Sequence, residues 1–253
     1  MNPADLKGLR LIWTGFLSSL IGGVMTCFGS GSLLSSAAQL NDLEPVRTVY
    51  ISSSIGGVIS FIALILIIVG LSMLKSISDY FIKARRLLVI SIIVGVVMVV
   101  ALVIFALLLF LTALAASATA LTGYVGLGIL VVVLAAILVV LNILFYKNLL
   151  HGCSDMAALF RENELAEKFI KLWRLYIIGT ILIIAGVLIY VFGGIAVFSI
   201  GVTLQGEAVV SIIIVTEVIL LGAGMVISPI FIILLLVRLW NLCTLDEKKP
   251  GEM

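Results

Sequence analysis

Charge is scarce in this chain. Asp, Glu, Lys and Arg make up 11% of its 253 residues, against about 25% in an ordinary globular domain. Cysteine is rarer still, with Cys27, Cys153 and Cys243 and no CxxC pair. That spacing offers neither a disulfide framework nor a zinc site. The one histidine, His151, sits with Cys153 and Asp155 in "HGCSD", too few ligands for a metal centre. The segment reads as a turn leading into a surface helix. No GxxxxGK[ST] motif is present and no strand–loop–helix pattern surrounds the glycines, which excludes a nucleotide loop. The net charge is only +2, and no nucleic-acid partner is expected. No catalytic constellation emerges, so neither an enzyme nor a cofactor is expected.

Hydrocarbon takes the place of charge. The hydrophobic fraction is 63% and the mean hydropathy is +1.39, more apolar surface than a water-soluble chain of this length can hide. Apolar runs over 11–38, 49–74, 87–112, 123–146, 175–200 and 208–238 each exceed the roughly 20 residues that cross a hydrocarbon core. The expected fold is all-α: a polytopic bundle of six spans in one domain, 1–246, followed by a flexible tail, 247–253. Of the 15 Lys and Arg, all but Arg47 fall at the N-terminus, in the second and fourth breaks, or at the C-terminus. The positive-inside rule then puts both termini on the cytoplasmic side of a cell membrane.

A short pattern recurs before each odd-numbered span: "LKGLRL" at 6–11, "IKARRL" at 82–87 and "IKLWRL" at 170–175. An aspartate follows each even-numbered span, at Asp79, Asp155 and Asp246. Gly15 and Gly22 of the first unit match Gly179 and Gly186 of the third in offset. The spacing predicts three two-helix hairpins in one orientation, over 6–80, 81–155 and 169–246. Internal repeats of this kind are frequent in membrane transport folds.

The first span, "TGFLSSLIGGVMTCFGSGSLLSS", is unusually rich in small residues. Taken at every fourth position, Gly15, Ser19, Gly23, Cys27 and Gly31 form one row, with Gly22 in the row beside it. Residues four apart share a helix face, and small-xxx-small strips let helices approach closely in lipid. The second span echoes this with Gly56 and Gly57 in "SSSIGGV". These eight positions are expected to pack against a neighbouring helix; a pore lining is the other use of such a strip.

Glu217, in "IIIVTEVILL", is the only ionisable residue deep in an apolar run. An intramembrane carboxylate is either a structural hydrogen-bonding group or a handler of protons or cations. The segment 154–173 reads as an amphipathic helix on the cytoplasmic membrane surface, with Ser154 as its cap and four-apart pairs Glu164–Lys168 and Glu167–Lys171. Docking to a partner is its alternative use. Lys83, Arg85 and Arg86 would meet anionic headgroups. Pro229 should kink the sixth span. Asn142 and Gln205 read as helix glue or boundary residues.

"LFYKNLL" at 144–150, "KLWRLYIIGTIL", "GGIAVFSI" and "LSMLKSISDY" at 71–80 resemble a family of uncharacterised archaeal multi-span membrane proteins, a domain of unknown function. The resemblance covers about residues 50–200. It implies an archaeal membrane setting and brings no catalytic residues. Together these features suggest a non-enzymatic integral membrane protein, a scaffold or accessory subunit of a membrane assembly. Its partners would be the lipid bilayer, anionic headgroups, and further copies of itself or other membrane subunits. The alternative is a small-solute or ion transporter or channel using Glu217.

Overall fold

The computed structural model describes the backbone of residues 3–36, 44–115, 121–200 and 204–248, and side chains over 6–26, 54–108, 128–189, 215–216 and 218–244. Those residues form six long helices and no strand: α1 (Pro3–Ser36), α2 (Glu44–Met73), α3 (Asp79–Ala115), α4 (Leu121–Leu159), α5 (Asn163–Ile200) and α6 (Leu204–Lys248). All six are long and apolar enough to cross a membrane. In hydrocarbon no water can satisfy backbone N–H and C=O groups, so an unbroken apolar run must satisfy them internally, as a helix does. The molecule is a multi-pass membrane protein of the all-helical class.

The shortest of these helices has 30 residues and the longest 45. At about 1.5 Å per residue even the shortest spans roughly 45 Å, well beyond a core of about 30 Å. The extra length lies largely at the basic end. The helices do not stop where the apolar runs stop, because their polar ends still have an inner face to bury. Leu9 and Ile12 of α1, Leu71 of α2, Phe81 of α3, Leu149 and Met156 of α4, Phe169 and Leu172 of α5, and Leu239 and Leu242 of α6 are almost fully buried in one cluster. All six helices therefore meet at this end.

The segment 154–173 differs from the expected separate surface helix. Its first part is the end of α4 and its second part the start of α5. Helix α4 runs on because Cys153, Met156 and Ala157 continue its buried stripe into the common core. It is closed by Glu162 N donating to Ala157 O (3.1 Å) and Arg161 N to Ala158 O (2.9 Å). Arg161 occupies the left-handed region at φ 60°, the position that usually takes glycine in this type of helix cap. Ser154 caps nothing; its hydroxyl donates to Ala166 O of α5 (3.2 Å). The pairs Lys168–Glu164 (2.5 Å) and Lys171–Glu167 (2.8 Å) lie on the exposed side of α5.

Helix contacts are most extensive between α1 and α2, α5 and α6, and α3 and α4; smaller ones join α4 to α5, α1 to α6 and α2 to α3. Polar ties reinforce them at the basic end. Trp13 Nε1 of α1 donates to Leu236 O of α6 (3.0 Å), and the Trp13 and Trp240 rings lie 5.1 Å apart. The Arg238 guanidinium of α6 donates to Lys168 O of α5. Ser78 Oγ accepts from Tyr80 N at the start of α3 and donates to Asp155 Oδ2 of α4 (2.9 Å). Asp79, by contrast, stands in the first turn of α3, so Asp79 and Asp155 occupy different structural positions.

Candidate functional site

The α1–α2 contact is set by small residues on both sides. A Cβ added to Gly22 would lie 2.8 Å from Gly56 O, and one on Gly56 would lie 2.8 Å from Gly22 O. On Gly15 it would lie 2.9 Å from Ala63 O, and on Gly70 2.6 Å from Gly8 O. The seam is thus Gly8, Gly15 and Gly22 against Gly70, Ala63 and Gly56, each set spaced by one heptad. Gly23 and Gly57 have nothing within 4 Å of an added Cβ, and Ser19 is exposed. The four-residue row drifts off the contact because each step turns about 40° beyond a full circle on a 3.6-residue helix. A heptad drifts only about 20°, so it keeps to one seam. The side chains of Cys27 and Gly31 lie outside the described residues.

On α5, a Cβ at Gly179 would lie 2.7 Å from Ile227 Cγ2 and one at Gly186 2.7 Å from Leu221 Cγ, both on α6. Gly95 of α3 and Gly128 of α4 have open space instead.

Aromatic rings of α1, α4, α5 and α6 pack together. Tyr146 of α4 lies 4.6 Å from Tyr176, 5.2 Å from Phe231 and 6.1 Å from Phe16, centroid to centroid. Tyr176 and Phe231 are 4.9 Å apart. Trp173, stacked on Tyr176 at 5.9 Å, and Trp13 with Trp240 extend this aromatic zone around the basic end, as at a membrane–water interface.

A cavity of about 270 Å³ stands on this aromatic floor, between α4, α5 and α6. Its lining falls into three levels. Tyr146, Tyr176 and Phe231 form the floor. One helical turn above, α4 contributes Asn142, α5 Thr180 and α6 Ser228. Above them, Val139, Ile183 and Ile184 make aliphatic walls. Thr180 Oγ1 donates to Tyr176 O (2.9 Å). Asn142 is exposed and no hydrogen bond joins its amide to another described residue, so of its two expected uses, helix glue and boundary residue, the first has no bond to support it among the described residues. Among the described residues no charged side chain lines the cavity.

Glu217 belongs to α6, but its side chain lies outside the described residues. His151 stacks on Tyr80 at 5.5 Å within a continuous helix, not a turn, and Lys83 Nζ lies 5.4 Å from the Tyr80 ring centre. Cys153 and Cys243 are buried, and neither takes part in a disulfide among the described residues. No group of three His, Cys, Asp or Glu able to hold a metal occurs among the described residues. Lys7, Arg10, Lys83, Arg85, Arg86, Lys171 and Arg174, the seven basic residues of the three recurring stretches, are all exposed.

No protein-family model, curated protein or solved structure matches the chain.

Proposed function

We propose that this protein is a non-enzymatic scaffold or accessory subunit of a membrane assembly, with both termini in the cytoplasm. The observation that carries this reading is the shared apolar core at the basic end, to which all six helices contribute. Packed side chains and the Tyr146–Tyr176–Phe231 cluster occupy the place a conduit would need. A rigid core at one end holds the rest of each helix at a fixed lateral position, which suits a part that positions others.

The three-hairpin repeat belongs to the same reading. Gly15 and Gly22 against α2, and Gly179 and Gly186 against α6, supply its support. The exposed basic residues at the starts of α1, α3 and α5 suit an anionic headgroup layer.

Flux from vesicles tests the proposal. Purified protein reconstituted in liposomes with an internal pH dye should add no proton or ion flux over empty liposomes. A flux that disappears in a well-folded Glu217→Gln variant would replace the scaffold with a transporter.

A further inference from the structure

The three levels of the α4–α5–α6 cavity are ordered as an amphiphile is ordered. We propose that this cavity binds an uncharged amphiphile: a hydrocarbon chain whose hydroxyl or carbonyl end pairs with Asn142. The site is distinct from any scaffold surface and does not rest on that reading.

Asn142 is the first reason. An amide in an apolar helix carries two donors and two acceptor sites, and leaving them unmet in hydrocarbon is costly. No described residue meets them, and the side chain is open to the cavity. Ser228 and Thr180 stand at the same level. Because the Thr180 proton is already given to Tyr176 O, Thr180 offers the cavity an acceptor. The combined set can both donate to and accept from one small oxygen function.

Charge and size narrow the class. With no charged residue among the described lining residues, an ionised headgroup would be desolvated without a partner. A volume near 270 Å³ falls just below the roughly 300–1,000 Å³ of drug-sized sites. It suits a small neutral molecule or the polar end and first carbons of a longer chain. The aliphatic level is on the side away from the basic end, so the tail points toward the membrane interior. The polar end then rests just above the aromatic zone, at the depth where lipid oxygen functions meet hydrocarbon.

Photolabelling of the whole protein in nanodiscs tests this. The probe is a hexadecanol carrying a diazirine within its chain; the control is the diazirine-bearing hexadecane. The alcohol should label peptides containing 139–146, 176–184 or 227–232, and the alkane should label them about tenfold less, the loss expected for a polar group left unpaired away from water. Asn142→Leu should reduce alcohol labelling by about the same factor. This variant replaces an unpaired amide with a side chain of similar size, so it should fold; its melting temperature, measured without alcohol, checks this. Free hexadecanol should raise the melting temperature of the parent and not of Asn142→Leu. Competition by hexanol as well as hexadecanol would identify a small soluble alcohol as an adequate ligand, and competition by hexadecanol alone a membrane lipid. Equal labelling by alcohol and alkane, unchanged in Asn142→Leu, would overturn the proposal and leave a cavity filled by water or ordinary lipid tails.

Discussion

Gly22→Ala and Gly23→Ala make a matched pair that isolates the α1–α2 seam. Both replace a helical glycine with alanine, so both gain the same intrinsic propensity of about 0.8–1.0 kcal/mol. They differ in what the new methyl meets. At Gly22 it would lie 2.5 Å from Ser60 Oγ and 2.8 Å from Gly56 O. The serine can rotate away; the carbonyl is backbone and cannot. Ordinary contact begins near 3.4 Å, so the helices must separate by about 0.6 Å at that level. A gap of that size forfeits a quarter to a half of each contact's dispersion well along the seam. The cost should be about 1–3 kcal/mol, as for other overpacked contacts. At Gly23 nothing lies within 4 Å, so Gly23→Ala should be neutral or slightly stabilising. Reversible SDS unfolding followed by helical circular dichroism measures both. The double variant Gly22→Ala with Gly56→Ala should cost less than the sum, because the first substitution already opens the seam. Equal stability of the two single variants would refute the heptad seam.

Three further outcomes follow from named contacts. Arg161→Gly should stabilise the α4–α5 turn by about 1 kcal/mol, since a non-glycine residue in the left-handed region costs about 1–2 kcal/mol; Arg161→Val should do the reverse, read by the same unfolding assay. Trp13→Phe keeps a ring near Trp240 but loses the bond to Leu236 O, and should cost about 0.5–1.5 kcal/mol. Ser78→Ala and Asp155→Ala should be strongly non-additive in a double-mutant cycle, because each removes the same Ser78–Asp155 bond.

Helix number and order were legible because a membrane leaves the chain few choices. An apolar run long enough to cross must be helical, and the breaks between runs were plain. Helix ends were not. Charged residues such as Glu164, Lys168 and Lys171 mark the edge of an apolar run, yet they are good helix formers, and the buried stripe through Met156 and Phe169 carries the helices past that edge. The small residues of α1 were visible, but two neighbouring four-residue rows hid the heptad that takes Gly15 from one and Gly22 from the other. Gly8 and Gly70 completed the seam without having stood out at all. The cavity was least legible. Asn142, Thr180 and Ser228 come from three different helices, and no local spacing says that they share a level. The available signal was indirect: each stands one turn from an aromatic residue, Tyr146, Tyr176 or Phe231, toward the membrane interior.

The measurement closest to the centre of the account is the sidedness of two single cysteines, because the proposed function places the basic end of six spans in the cytoplasm. Thr119→Cys and Lys249→Cys, each in a background with Cys27, Cys153 and Cys243 replaced by alanine, would be treated in intact cells with a membrane-impermeant maleimide. Thr119→Cys should label at once, and Lys249→Cys only after the membrane is opened. Labelling of both from outside, or of Lys249→Cys alone, would contradict the topology and with it the assignment of the packed aromatic end to the cytoplasmic face.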